Sequence, residues 1–146
     1  MAEVFLAEPP ALYLARPPLV VDASLLAASV FGEAERDAAE ARLRGFSLHA
    51  PGLIDYELAN VAVAKLRRNE LTLETAILAL AEFSTMALAR HVPAPEEVAA
   101  LADRYCLTAY DAAYLWLAGA LKAPLATFDR QLANAASDYL GKLPAG

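Results

Sequence analysis

Residues 108–129 read TAYDAAYLWLAGALKAPLATFD, and this stretch decides the fold. Thr108 and Asp111 have the spacing of a capping box, with Asp in place of the usual Glu or Gln. The apolar run that follows predicts a buried helix that ends at about Lys122. Pro124 then precedes a short apolar strand over residues 125–128. A buried helix followed closely by a buried strand is typical of an α/β protein.

The rest of the chain repeats this alternation. Short apolar runs predict three more strands, at residues 19–22, 46–50 and 89–92. Helices are predicted from Ser24, which we expect to be an N-cap, and over 33–43, 53–68, 96–105 and the segments that begin at 72 and 129. Strands that alternate with helices imply right-handed crossovers and a parallel sheet covered on both faces.

Composition limits the class of protein. The 146 residues are 58% apolar and 21% charged, which predicts one globular domain with a real core. Residues 1–18 contain four prolines, so we expect an extended arm before a domain over 19–146. No apolar stretch is long enough to span a bilayer, and the single cysteine fits a reducing cytoplasm. The net charge of −6 disfavours a general nucleic-acid coat protein but leaves a nuclease open.

Four acidic residues stand where apolar segments end or turn inward: Asp22, Glu57, Asp111 and Asp129. A carboxylate beside core residues is costly unless a cation holds it. Ligands of open parallel sheets bind beyond the carboxyl ends of the strands, so convergence of the four would make a divalent metal site. Each also has an ordinary alternative, because Asp22, Ser24 and Asp129 could be helix caps and Asp111 could answer a helix dipole.

Glu57 is the hardest of the four to explain as an ordinary surface residue. It lies between Leu53 and Val61 on an apolar stripe, and no cation four residues away answers it. Asn60, three residues on, is expected to share its face and orient it. Three basic residues, Lys65, Arg68 and Arg130, are weaker candidates for contacts with substrate phosphates.

In this order, four segments closely resemble the PIN-domain ribonucleases, in particular the VapC toxins of toxin–antitoxin pairs: VVDAS (20–24), YELANV (56–61), LTAYDAAYLWLA (107–118) and LATFDRQL (125–132). The resemblance covers roughly residues 19–140. It implies a PIN-like three-layer α/β/α fold with a central, mainly parallel sheet of four to five short strands. It also implies Mg²⁺ or Mn²⁺ at the four acidic positions, with Ser24 and Thr127 as supporting polar residues.

The function implied by the resemblance is hydrolysis of RNA phosphodiesters by metal-activated water, with a small antitoxin as partner. The residues alone leave RNA and DNA both open as substrates. Excess apolar surface on residues 71–86 predicts a homodimer with a further groove for a partner helix. The alternative is a catalytically silent PIN-like module that binds nucleic acid or protein. A phosphoacceptor receiver domain is disfavoured, because no lysine lies near residue 129.

Overall fold

The computed structural model of the chain describes residues 4, 5, 7 and 16–145. Most of the expected N-terminal arm, residues 1–3, 6 and 8–15, lies outside the described residues. Val4 and Phe5 are exposed. Regular structure begins at Pro18, the last residue of the predicted arm.

A four-stranded parallel sheet flanked by seven helices makes up the described part of the chain. The elements follow one another as β1 (Pro18–Val21), α1 (Ala23–Val30), α2 (Arg36–Leu43), β2 (Ser47–Pro51), α3 (Ile54–Arg67), α4 (Leu73–Ser84), β3 (Leu88–His91), α5 (Pro95–Tyr105), α6 (Ala109–Leu121), β4 (Leu125–Ala126) and α7 (Arg130–Gly141). The strand order is β3-β2-β1-β4, and every neighbouring pair is parallel. The predicted α/β fold with a parallel sheet is confirmed.

Strand β1 is the middle of this arrangement. Val20 pairs with His49 of β2 on one side and with Leu125 of β4 on the other. Leu19, Val20 and Val21 are all buried, as expected for a strand covered on both faces. The chain that leaves the carboxyl end of β1 therefore emerges at the centre of the sheet edge.

Helix α6 has more buried residues than any other helix of the described chain, and its sequence explains why. Ala112–Leu115, Leu117 and Ala118 are buried around most of its circumference. It contacts α5 and α7 as well as β1, β2 and β4, so apolar residues are needed on nearly every face. Gly119 permits close contact with α7, because a Cβ there would lie 2.7 Å from the ring of Tyr139. In the described residues, no helix is long and apolar enough to cross a membrane.

Several predicted boundaries were wrong by a few residues. Asp22 rather than Ser24 is the N-cap of α1, since its side chain accepts the Leu25 N–H. Helix α2 begins at Arg36, three residues later than predicted, because a turn with Gly32 in the left-handed region precedes it. Strand β2 extends through Pro51 instead of stopping before it. Strand β4 has only two residues, because the chain bends toward Asp22 at Thr127.

Candidate active site

Asp22 lies at the carboxyl end of β1 and is 6% exposed, the one buried charged residue among those described. Neutral groups hold its carboxylate. Ser24 Oγ and the Leu25 N–H donate to Oδ1 at 2.7 and 3.1 Å, and Thr127 Oγ1 donates to Oδ2. Because none of these donors carries a charge, no hydrogen-bond partner of Asp22 neutralises its carboxylate.

Ser24 and Thr127 also connect Asp22 to the loop that carries Asp129. The Phe128 N–H donates to Ser24 Oγ at 3.0 Å, and the Asp129 N–H donates to Thr127 Oγ1 at 2.9 Å. Asp129 then caps α7 by accepting the Leu132 N–H at 2.9 Å. The ends of β1 and β4 are thereby joined through two hydroxyl groups, as expected for neighbouring strands whose carboxyl ends meet.

Glu57 lies in the first turn of α3, beside the buried face of the helix. That buried face consists of Ile54, Leu58 and Ala62, one residue out of phase with the stripe predicted from the sequence. Glu57 is consequently half-buried, and Tyr114 Oη donates to its Oε1 at 2.6 Å. The hydrogen bond crosses from α6 to α3 and sets the direction of the carboxylate.

Sequence reasoning missed Tyr114 and assigned orientation of Glu57 to Asn60. Asn60 is exposed, and among the described residues no hydrogen bond joins it to Glu57. Tyr114 is 1% exposed, so its hydroxyl must find a partner inside the protein. The available signal was its spacing: three residues after Asp111 on a helix, Tyr114 lies on the same side as that aspartate.

Asp111 occupies the first turn of α6 and is half-buried. Its N–H donates to Thr108 Oγ1 at 3.1 Å, which confirms Thr108 as the N-cap that begins the helix. The cap holds the start of α6 in place, so the position of the Asp111 carboxylate is determined by a helix that is packed into the core.

Electrostatic interactions link the four acidic residues. Burial raises the pKa of Asp22, and the charge of Asp129 raises it further. The pKa of Glu57 is raised by burial and then by Asp111 and Asp22. The pKa of Asp111 is raised by burial and then by Asp129 and Asp22. The pKa of each of these three carboxylates is thus raised by the charge of at least one other member of the set. Among the described residues, no lysine or arginine forms an ion pair with any of the four acids.

The four carboxylates do not close around a single point. Within the part of the chain that the structure describes, no three acidic, histidine or cysteine side chains are grouped as a ready metal site. Burial is the largest cause of the raised pKa values of Asp22, Glu57 and Asp111, and repulsion between like charges adds to it. The donor chemistry nevertheless fits a hard divalent cation such as Mg²⁺ or Mn²⁺, which prefers carboxylate oxygens and retains several waters.

The predicted phosphate contacts lie in different surroundings. Lys65 forms ion pairs with Glu33 and Glu70 at 3.5 Å, and Arg68 pairs with Glu70. Both lie near the C-terminal end of α3, about 12 Å or more along the helix from Glu57. These two residues are therefore not brought to the carboxylates. Arg130 is exposed and directly follows Asp129, so it remains near them.

The geometry agrees with comparisons to known proteins. The PIN domain family matches residues 19–138, and the chain belongs to this family. It is 36% identical over 121 residues to "Ribonuclease VapC3" from Pyrobaculum aerophilum, a match that spans 80% of this chain and 92% of the relative. The crystal structure of PAE2754 from Pyrobaculum aerophilum superposes with a TM-score of 0.66 at 25% identity, covering 86% of this chain and 88% of that one.

Proposed function

We propose that this protein is a metal-dependent endoribonuclease and the toxin of a toxin–antitoxin pair. One observation carries the proposal: Asp22, Glu57 and Asp111, from three separate segments, have pKa values raised by burial and by neighbouring carboxylates, among them Asp129 of a fourth segment. The name of the curated relative, a VapC ribonuclease, supports RNA as the substrate. The single free cysteine fits the cytoplasm as its location.

In this proposal Asp22, Glu57, Asp111 and Asp129 hold Mg²⁺ or Mn²⁺. Such a cation, when bound, lowers the pKa of a water and neutralises charge that develops on a phosphate. Ser24 and Thr127 fix both oxygens of Asp22. Tyr114 occupies one oxygen of Glu57 and leaves Oε2 available. Arg130 is positioned to contact a phosphate of the substrate.

The partners we propose are a second copy of the chain and a small antitoxin. Leu73, Ile77 and Leu78 on α4 are 63%, 56% and 65% exposed. Several large apolar side chains exposed on one helix are typical of a protein–protein contact. We assign this surface to the homodimer. Light scattering of the wild type and of Ile77→Asp tests it: a dimer that becomes monomeric supports the assignment, and a wild-type monomer at micromolar concentration refutes it.

The test of the nuclease is cleavage of labelled RNA with Mg²⁺, with Mn²⁺ and with EDTA. Asp22→Asn should lose activity on the order of a thousandfold, because several kcal/mol of metal assistance depend on the intact ligand set. Asp37→Asn is the matched control, since Asp37 is an exposed aspartate in the first turn of α2. Equal cleavage by both variants would refute the assignment of Asp22.

A catalytically silent binding module is the alternative, and the same experiment separates the two functions. If the protein is a catalytically silent module, RNA should stay intact under every condition, even where isothermal titration detects bound Mn²⁺. DNA of the same sequence, included as a second substrate, tests the preference for RNA.

A further inference from the structure

Exposed aromatic rings accompany the carboxylate cluster. Tyr56, Tyr110 and Phe128 are 81%, 67% and 45% exposed. Each is the residue immediately before an acidic residue of the cluster, namely Glu57, Asp111 and Asp129. Apart from Phe5 in the N-terminal arm, they are the only strongly exposed phenylalanine, tyrosine or tryptophan side chains in the described residues. We call these three residues the aromatic rim.

The backbone of the rim is firmly held. The Phe128 N–H donates to Ser24 Oγ at 3.0 Å, within the network that orients Asp22. Tyr110 lies in the first turn of α6, which Thr108 caps. Tyr56 lies in the first turn of α3, and its N–H donates to the Leu53 carbonyl at 3.1 Å. Consecutive Cα atoms are about 3.8 Å apart, so the backbone of each rim residue lies next to that of its acidic neighbour.

A cavity adjoins the rim at Phe128. It has a volume of about 470 Å³, and its lining includes Phe128, Thr127, Leu25, Phe46 and Arg42. Thr127 lines the cavity and also donates a hydrogen bond to Asp22, so the cavity adjoins one of the residues that hold the Asp22 carboxylate. Apolar side chains with one guanidinium form a surface suited to a nucleoside, since a base can pack on the former and a phosphate can pair with the latter.

We propose that the aromatic rim is a binding site for the unstacked bases of single-stranded RNA, an inference that rests on the proposed nuclease function. The chain as a whole carries a net charge of −6, so its overall charge repels the phosphates of RNA. Affinity for RNA must therefore come in large part from something other than charge. Aromatic faces supply it, because every base can stack on a ring whatever its sequence.

The rim differs from the exposed apolar surface of α4. All three rim side chains are aromatic and can stack on bases, whereas Leu73, Ile77 and Leu78 are aliphatic and cannot. Two other aromatic residues of α6, Tyr114 and Trp116, do not belong to the rim. Tyr114 is buried on Glu57, and the Trp116 indole N–H donates to Glu97, so neither ring is free in the way the rim is.

Binding is best measured in the Asp22→Asn background with Mg²⁺, where the RNA stays intact. The probe is a single-stranded oligoribonucleotide that contains a fluorescent adenine analogue, whose emission falls on stacking. The same strand annealed to its complement is the competitor without free bases. Rim variants are Tyr56→Leu, Tyr110→Leu and Phe128→Leu, singly and together. Tyr56→Phe and Tyr110→Phe, which keep the ring, are the matched controls.

Each leucine variant should weaken binding of the single strand by at least about fivefold, and the triple variant by about a hundredfold or more. Both phenylalanine variants should bind as the parent does, and the annealed strand should bind weakly to all. If the triple variant binds the single-stranded RNA with unchanged affinity, the rim is not a site for bases. This conclusion holds even if the same variant loses binding to a protein partner. Equal losses for leucine and phenylalanine variants would overturn stacking.

Failure of the nuclease and failure of the rim give different results. A wild type that leaves RNA intact, combined with rim variants that bind it less tightly, removes the nuclease and keeps the rim. Metal-dependent cleavage by the wild type, combined with rim variants that bind and cleave normally, keeps the nuclease and removes the rim.

Discussion

Asp55 and Glu57 lie two residues apart at the start of α3, yet their surroundings are opposite. Asp55 accepts two hydrogen bonds from Arg90, at 2.8 and 2.7 Å, so a cation neutralises it. Glu57 receives one hydrogen bond from the neutral hydroxyl of Tyr114 and faces the charges of Asp22 and Asp111. The first arrangement is that of a surface ion pair, and the second leaves negative charge available for a ligand.

The same contrast holds across the molecule. Hydrogen bonds from Arg36, Arg68 and Lys142 lower the pKa values of Glu40, Glu70 and Asp138. Burial and mutual repulsion raise those of Asp22, Glu57 and Asp111. These three surface carboxylates have cations as partners, while Asp22 and Glu57 at the sheet edge have hydroxyls. A fold gains little stability from clustered unpaired acids, which is why they indicate a function.

In this comparison, the largest effect is expected when each of the two acids at the start of α3 is replaced in turn by its amide. Glu57→Gln should reduce RNA cleavage by on the order of a hundredfold or more, because it removes a charged metal ligand. Asp55→Asn should leave cleavage unchanged and lower the free energy of unfolding by less than about 1 kcal/mol, as for other exposed ion pairs. Cleavage rates and urea denaturation measure the two quantities. Similar activity losses in both variants would erase the contrast.

Removing the hydroxyl that orients Glu57 should have the next largest effect. Tyr114→Phe should weaken Mn²⁺ binding by about 10- to 100-fold, as loss of a group that orients a metal ligand usually does. Isothermal titration measures this without reference to activity. Tyr105→Phe is the matched control, because Tyr105 Oη also donates to a carboxylate, that of Asp138, at 2.7 Å. A purely structural role for Tyr114 would lower the melting temperature and leave the Mn²⁺ affinity unchanged.

Mn²⁺ should stabilise the folded protein through the carboxylates that have no cation as partner. Replacing a surface carboxylate that is paired with a cation should not change this stabilisation. Free Mn²⁺ at a hundred times its dissociation constant should add about 2.7 kcal/mol to the free energy of unfolding of the wild type. Asp111→Asn should blunt this gain, and it should melt at a higher temperature than the wild type when metal is absent, because a repelling charge is gone. Asp138→Asn should respond to Mn²⁺ as the wild type does. Thermal melts with Mn²⁺ and with EDTA decide the matter.

The smallest expected effect concerns pH at the paired histidines of β2 and β3. His49 Nδ1 and His91 Nε2 share a hydrogen bond of 2.9 Å, and the pKa of His49 is lowered by burial and by the charge of His91. A lowered folded-state pKa means that the unfolded chain binds the proton more readily. Stability from this source is complete above about pH 6.5 and is lost as the pH falls toward the folded-state value.

His49→Gln tests this pH dependence. Its unfolding free energy should vary less than that of the wild type between about pH 7 and pH 5, the range in which histidine titrates. Ser47→Ala, which removes the other hydrogen-bond partner of His49 and keeps both imidazoles, is the control. Identical pH profiles for the wild type and His49→Gln would contradict the expectation.

The sequence by itself determined the alternation of elements and the identity of the acidic positions. Apolar runs such as Leu19–Val21 and the capping signal at Thr108 are local, so they can be read before the chain folds. The order of the strands, with β1 between β2 and β4, was decided by the tertiary structure. So was the helical phase that turns Ile54, Leu58 and Ala62 inward and leaves Glu57 beside them.

The hydrogen-bond partners of the candidate site residues also depend on the tertiary structure. Tyr114 reaches Glu57 across 57 positions of sequence, and Thr127 reaches Asp22 across 105. No local pattern specifies such contacts, because they depend on how α6 and β4 pack against the rest of the core. Asn60 was the local candidate for Glu57 and is exposed instead. Spacing along a helix fixes which residues share a side, while packing against other elements decides which side is buried.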